Sequence, residues 1–265
     1  MTQLVYLYLL SPLHTGGTTQ EGNLLGIARE SHTNLPYIPS STIRGRLRAS
    51  TADNQRSELW GNTIDDVTKE GDSNLTQGQL WIGDGSLLWV PVPSLSHGVI
   101  WVSSRLLLKR WQRLNSKNQA KVPDEYSNNF SNNNPVYLKD AILPGQDLKK
   151  VNLQAWIPQS EVSCINHALV LPDQHCATLI QMCLWRQVKI KLDEHKTVDG
   201  GFRYEEAIPP DTLMYFPWGI TTQAKANTTA ASDKFEAILA EHSVLQIGGQ
   251  ESLGRGFVKN WSSED

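Results

Sequence analysis

The sequence predicts an α+β fold, and three observations carry that prediction. The first eleven residues read as a strand apolar on both faces, with Leu4, Tyr6 and Tyr8 alternating against Val5, Leu7 and Leu9, as in a strand at the centre of a sheet. Strand-like and helix-like stretches then interleave along the chain, with hairpins among them, which argues against an all-parallel sheet. Near the C-terminal third, residues 186–206 read as a long, polar, protruding hairpin.

Taken in order, the first strand ends at Ser11-Pro12. Residues 13–31, rich in Gly, Thr, Gln and Asn with no apolar period, read as a long loop of the kind that carries function. Ser40-Ser41 can cap a helix from about Thr42 to Trp60, with Ile43, Leu47 and Leu59 on its buried face. Strands follow at Leu80–Asp84, Ser86–Val92 and Gly98–Val102, each bounded by Gly, Pro or Ser. The Asn-rich segment 115–135 has the polarity of an exposed, mobile insertion. A short helix fits Asp173–Trp185, where Ala177, Leu179, Ile180, Cys183 and Leu184 supply the apolar positions. In the hairpin, Val188, Ile190 and Leu192 alternate with Gln187, Lys189 and Lys191, Asp199-Gly200-Gly201 supplies the turn, and Phe202, Tyr204 and Glu205-Glu206 form the return arm. Leu213–Trp218 resumes core character, Ser232–His242 reads as a helix, and strands at Val244–Ile247 and Phe257–Trp261 close the chain.

Bulk properties narrow the function classes. With 265 residues and a hydrophobic fraction of 39%, the chain can build one large domain, 1–265, with insertions. Its formal net charge of -3 excludes a general positive field, so any contact with nucleic acid must come from local clusters. No stretch reaches the ~20 apolar residues of a membrane helix and the N-terminus shows no cleavable leader, so the expected location is cytoplasmic, with no membrane partner. Cys164, Cys176 and Cys183 are an odd set without a C-x-x-C pair. Even with His167 and His175 nearby their spacings fit no zinc pattern, and they read as reduced, structural thiols with no metal.

Two clusters point to an anion. Leu245–Phe257 places four glycines, Gly248, Gly249, Gly254 and Gly256, and one arginine, Arg255, between apolar flanks. Glycine can take positive φ and let backbone amides approach a phosphate, while Arg255 adds a fixed charge. The spacing is neither the Walker nor the dinucleotide pattern, and a plain hairpin between two strands explains it equally well. Arg44, Arg46 and Arg48 lie in the first turns of the helix after Ser41. Cations are disfavoured there by the helix dipole, so an external anion accounts for them better than helix stability does, the alternative being a solvated face.

Three stretches, Ser11–Gly16, His32–Arg48 and the glycine loop, occur in an order that resembles the RAMP superfamily of CRISPR proteins. Ile82-Gly83-Asp84, Val90–Leu95, Gly200–Leu213 and Leu245–Gly249 narrow the resemblance to the backbone subunit of the type III-B (Cmr) effector complex, over almost the whole chain. The resemblance implies a ferredoxin-like, RNA-recognition-type palm carrying a β-hairpin thumb at 186–206, repeated as a filament along CRISPR RNA. It implies partners too: CRISPR RNA, target RNA, neighbouring copies and other Cmr-type subunits. The RNA-binding set it suggests is His14, Ser41, Arg44, Arg46, Arg48, Gly248, Gly249, Gly254, Arg255 and Gly256. Phe202 and Arg203 are the thumb residues available to replace lost base stacking.

One departure separates the chain from the cleaving relatives, in which an aspartate before the His-Thr motif is needed for metal-dependent cutting of target RNA. That position falls here at Leu24, or at Asn23 with a different gap, and neither can serve as an ionised base. Glu21 and Glu30 are the nearest acids, Glu21 being the weak catalytic candidate. The expectation is a guide-binding filament subunit that captures target RNA without cutting it, needing no cofactor. The alternatives are a Mg²⁺-dependent endoribonuclease cutting at regular intervals, and a CRISPR-RNA-processing nuclease using His14 or His32.

Overall fold

The computed structural model describes residues 2–21, 24–62, 75–130, 133–158, 164–222 and 228–262. It is an α+β structure with two sheets. The first strand, β1 (Gln3–Leu9), lies between β14 (Leu213–Ile220) and β16 (Phe257–Ser262), antiparallel to both. Its alternation does what the sequence implies: Val5, Leu7 and Leu9 enter one core, Leu4, Tyr6 and Tyr8 another on the opposite face. Beyond β14 the sheet continues through β5 (Ser86–Ser94), β6 (Gly98–Ser104), β11 (Ala168–Leu171), β7 (Ser127–Asn128) and β10 (Lys149–Lys150); β15 (Val244–Gln246) closes the far edge. Strand β4 (Leu80–Ile82) pairs with β14, and the small hairpin β8 (Val136–Leu138) and β9 (Ala141–Leu143) attaches to β5.

Helices cover the faces. α1 (Ser40–Ser50) buries Ile43 and Leu47, and α2 (Asp53–Trp60) buries Leu59 and Trp60. Trp60 meets Phe235 of α5 (Thr228–Glu241), whose ring sits 4.3 Å from Trp218 of β14. A fully buried aromatic of this kind contributes roughly 1.5–3 kcal/mol. α3 (Arg105–Leu114), which no sequence signal above marks, starts on a Ser104 cap and serves both cores through Leu107, Leu108 and Trp111. α4 (Asp173–Cys183) buries Cys176, Leu179 and Ile180. Cys164 is exposed, Cys183 half-buried, and all three cysteines are free thiols; burial pushes the Cys176 thiol up. Among the described residues no helix is long and apolar enough to cross a membrane.

Four expectations need correction. The single helix to Trp60 is two, because Thr51 turns extended and its hydroxyl bonds the Leu47 carbonyl, while the Trp60 indole N–H bonds that hydroxyl in turn. Neither Ser40 nor Ser41 caps α1 through its side chain; the Ser40 amide is instead held by Asp84 Oδ1 at 2.7 Å, from the turn before β5. Residues 13–31 are not all loop, since β2 (Gly16–Glu21) and β3 (Leu24–Ile27) pair as antiparallel strands, the first with a polar sequence that gives no strand signal and the second apolar but only four residues long. Part of the Asn-rich segment is integrated: Asn128 is buried in β7, and Asn129 bridges to Asn166 and Ala168, its amide standing in for backbone partners.

The second sheet carries the long hairpin. Its order is β12 (Trp185–Leu192), β13 (Val198–Ala207), β3, β2, with β13 and β3 parallel. The turn of the long hairpin lies at Asp193–Lys196, capped by Asp193, and Gly200-Gly201 sit inside β13. Both glycines have positive φ, at the irregularity between Ile190 and Leu192. This places the turn six residues earlier than the Asp-Gly-Gly motif suggests.

Candidate nucleic-acid interface

Strand register gives the hairpin two chemically different faces. Val188 opposes Tyr204 and Ile190 opposes Phe202, whereas Gln187 opposes Glu205 and Lys189 opposes Arg203. Opposed residues share a face, so one side is aliphatic and aromatic and the other cationic towards the tip and acidic at the root. Both sides meet solvent: Phe202 is 49% exposed, Ile190 52% and Tyr204 41% on one, and the Arg203 side chain is 60% exposed on the other. The Phe202 and Tyr204 rings pack edge to face at 5.5 Å. A cleft of 480 Å³ runs along the hairpin, with Lys189, Lys191, Phe202 and Arg203 among its walls.

At the root, two consecutive buried carboxylates gather the basic residues. Glu205 receives Lys189 Nζ at 2.8 Å, Arg203 Nη2 at 3.1 Å, Arg255 Nη1 at 3.4 Å and the Gln250 amide at 2.9 Å. Burial opposes ionisation of Glu205, but hydrogen bonds from Lys189 and Gln250 with the charges of Lys189 and Arg203 outweigh it and hold the carboxyl below its ordinary range. Glu206, on the opposite side of the strand, takes Arg29 Nη2 at 2.7 Å and Arg186 Nη2 at 2.8 Å.

The predicted residues divide by exposure. His14 is buried, its Nδ1 2.7 Å from the Glu206 carbonyl. Its own carbonyl accepts the Gly249 amide at 3.0 Å. Gly248, Gly254 and Gly256 have positive φ as expected, while Gly249 does not. Loop amides are already bonded within the protein: Gly256 N–H bonds the Pro12 carbonyl at 2.9 Å and Gly254 N–H bonds the Glu251 carbonyl at 2.8 Å. Gly248 and Gly256 are required by close backbone approach, since a Cβ would lie 2.4 Å from the His14 carbonyl oxygen and 2.0 Å from that of Ile247. Arg255 is 4% exposed, stacked 4.2 Å over Trp185 and hydrogen-bonded to Gln187. Gly249 and Gly254 remain at the surface.

On α1, Ser41 and Arg44 are exposed, and Arg46 and Arg48 half-buried. Arg44 bonds the Trp60 carbonyl and Arg48 the Gly61 carbonyl, so both cations answer the negative C-terminal end of α2. Helix electrostatics therefore explains part of what the sequence attributed to an external anion. Partial burial, then the neighbouring Arg48 charge, lowers the Arg44 guanidinium from its ordinary value, which an approaching anion would relieve. A strip of hydrogen bonds links the glycine loop to α1: Gly249 to His14, then Thr15 Oγ1 to the Tyr37 carbonyl at 3.2 Å, three residues before the helix starts.

Leu24 pairs with Tyr204 on one side and Glu21 on the other, at the hairpin's root. Its side chain has no donor for a hard cation, and among the described residues no three His, Cys, Asp or Glu side chains gather as a metal site. Asn23 and the Glu21 side chain lie outside the described residues. Glu30 is taken up by Arg110 at 2.8 Å and by Thr33, with His32 at 3.9 Å.

Sequence reading missed Glu205, Glu206, Arg29, Trp185 and Gln250. The one available signal was a pair of adjacent acids on an otherwise alternating strand, which must face opposite sides and, at the foot of a basic hairpin, attract partners.

Comparison with known proteins agrees with this architecture. The RAMP superfamily matches residues 6–259. The CRISPR system Cmr endoribonuclease Cmr4 of Pyrococcus furiosus is 30% identical, with 97% of this chain and 94% of that protein covered. The fold is similar to that of oligomeric Cmr4 from the same organism, TM-score 0.72 at 24% identity over 100% of both chains. It is also similar to a chain of type III-B Cmr-beta bound to cognate target RNA, TM-score 0.76 at 18% identity over 99% of this chain and 97% of that one. Motif order, fold and near-complete coverage converge, and the chain belongs to the RAMP superfamily.

Proposed function

We propose that this protein is a CRISPR-RNA-binding backbone subunit of a type III-B effector complex in the cytoplasm, and that it captures complementary target RNA without cutting it. The observation that carries the reading is the two-faced hairpin. Phe202, Tyr204 and Ile190 offer planar and apolar surface to unstacked bases, while Lys191 and Arg203, whose side chains are largely exposed beside Asp199 and Glu205, offer charge to a phosphate backbone. In this reading the large sheet is the ferredoxin-like palm and the hairpin its thumb. Arg44, Arg46 and Ser41 on α1 hold guide phosphates, contacts that ignore base identity, while the surface glycines Gly249 and Gly254, with no side chain, let the strand pass close to the loop. The kinship with Cmr4 and the likeness to oligomeric Cmr4 support neighbouring copies of this chain and other Cmr-type subunits as partners.

The non-cleaving part rests on the sequence alignment that puts the relatives' aspartate at Leu24, or at Asn23 with a different gap, and Leu24 sits at the hairpin root. The test is a complex assembled with guide and labelled target in Mg²⁺. The target stays intact and bound, and Phe202→Ala with Arg203→Ala weakens its capture. The relative's name, an endoribonuclease, favours the second reading. Regularly spaced Mg²⁺-dependent cuts that vanish with Glu21→Ala would establish that reading instead.

A further inference from the structure

The glycine-loop arginine faces away from solvent. Arg255 arises between β15 and β16 of the large sheet, yet among the described residues the partners of its guanidinium belong to the four-stranded sheet: Trp185 and Gln187 on β12, Glu205 on β13. Gln250, from the same loop, adds a second bond to Glu205 at 2.9 Å. The loop's own amides tie it to His14 and Pro12, at the exit of β1. It therefore spans the two sheets, fixed to the large one by backbone and to the small one by a planar cation held between an indole face and a carboxylate. That geometry suits a guanidinium and not an ammonium. For a phosphate to take Arg255, the cation would have to leave Glu205, which is fully buried, and abandon the indole.

We infer that Arg255 is a positioning residue: with Glu205 and Trp185 it clamps the root of the hairpin to the large sheet, sets the angle at which the hairpin meets RNA, and contributes no phosphate contact of its own. This rests on the reading of the hairpin as an RNA-contacting element. A clamp and a phosphate ligand differ in their response to salt. Losing a phosphate contact flattens the dependence of binding on salt by about 0.7 in log–log slope for a single strand, whereas losing a clamp weakens binding equally at all salt concentrations.

The experiment measures binding of a labelled single-stranded RNA to the full chain across a salt series, together with amide hydrogen exchange in residues 185–192. For Arg255→Gln, Arg255→Lys and Trp185→Leu the expected result is a similar loss of affinity, on the order of 3- to 10-fold, with unchanged slope and faster exchange. The pair Arg255→Gln with Trp185→Leu should lose no more than either alone, and Trp185→Phe, which keeps a ring under the cation, should hold affinity near that of the unsubstituted chain. Arg44→Ala serves as the phosphate-contact control, with a flattened slope and unchanged hairpin exchange. A flattened slope for Arg255→Gln, or normal exchange in 185–192, would overturn the clamp. Absence of RNA binding by the unsubstituted chain would instead overturn the RNA reading, and the exchange data would still judge the clamp.

Discussion

The Gly249 amide donates to the His14 carbonyl at 3.0 Å, and the α-carbon of Gly248 beside it approaches so closely that a Cβ there would sit 2.4 Å from the same oxygen. This contact pins the glycine loop to the segment leaving β1. His14 in turn reaches the Glu206 carbonyl, so one buried histidine joins the loop to the hairpin root.

Gly248→Ala should therefore destabilise the protein by about 2–3 kcal/mol, combining the positive-φ cost of a Cβ, roughly 1 kcal/mol, with displacement of a backbone carbonyl. Gly254→Ala meets open space at φ +72° and should cost only about 1 kcal/mol. Thermal unfolding of the two variants side by side checks this, and equal melting points would refute the close-approach argument.

Arg44→Ala and Arg48→Ala should each lower stability by about 0.5–1 kcal/mol in the absence of any RNA, because each removes a cation from the C-terminal carbonyls of α2. Urea midpoints measure it. No change in either variant would mean these arginines serve only an external anion.

Glu206→Gln should cost about 3 kcal/mol or more, because it strips a buried anion from Arg29, which is itself mostly buried. Arg186→Ala, whose side chain is 57% exposed, should cost well under 1 kcal/mol. Denaturant unfolding of both variants separates the two magnitudes; a mild Glu206 effect would show the cluster to be loosely solvated.

Acid should loosen the hairpin root. The Glu205 carboxyl is held below its ordinary range, so its contribution to stability is present above the unfolded carboxylate pKa, about 4.3, and is lost as pH falls through the folded value. Glu58 and Asp193 shift in the same direction, so a melting curve alone cannot assign the effect. The assignment comes from Glu205→Gln, which should flatten the acid limb of hydrogen exchange in β12 and β13. An unchanged limb would place the acid sensitivity elsewhere.

How much was legible depends on whether a signal is local. β1 was readable because unbroken alternation of large apolar residues has few other uses, and two cores lie where its two faces point. The hairpin 186–206 was readable from its period, although its turn was assigned to the stronger-looking Asp199-Gly200-Gly201. Those glycines serve a bulge, while Asp193 builds the turn with side-chain bonds that glycine-based rules overlook. β2 went unread because Gly-Gly-Thr-Thr-Gln has no apolar alternation, and β3, Leu24–Ile27, because four residues are too few to show a period before β2 and β13 pair with it. α3 went unmarked although its apolar positions suit a helix. At the candidate site, Arg44 and the loop glycines were picked out by residue type, but their partners were not.

The sequence by itself determined the family, the α+β class, the central strand and the hairpin, because each is written in residue identity, order or short-range period. Only the tertiary structure decided that Arg255 turns inward to Glu205 and Trp185, that His14 is a buried link, and that Arg44 and Arg48 also answer the end of α2. Those outcomes depend on which distant carboxylate, indole or carbonyl is brought within hydrogen-bonding reach, and an arginine's charge is the same whether it meets a phosphate or a neighbour 50 residues away in the chain.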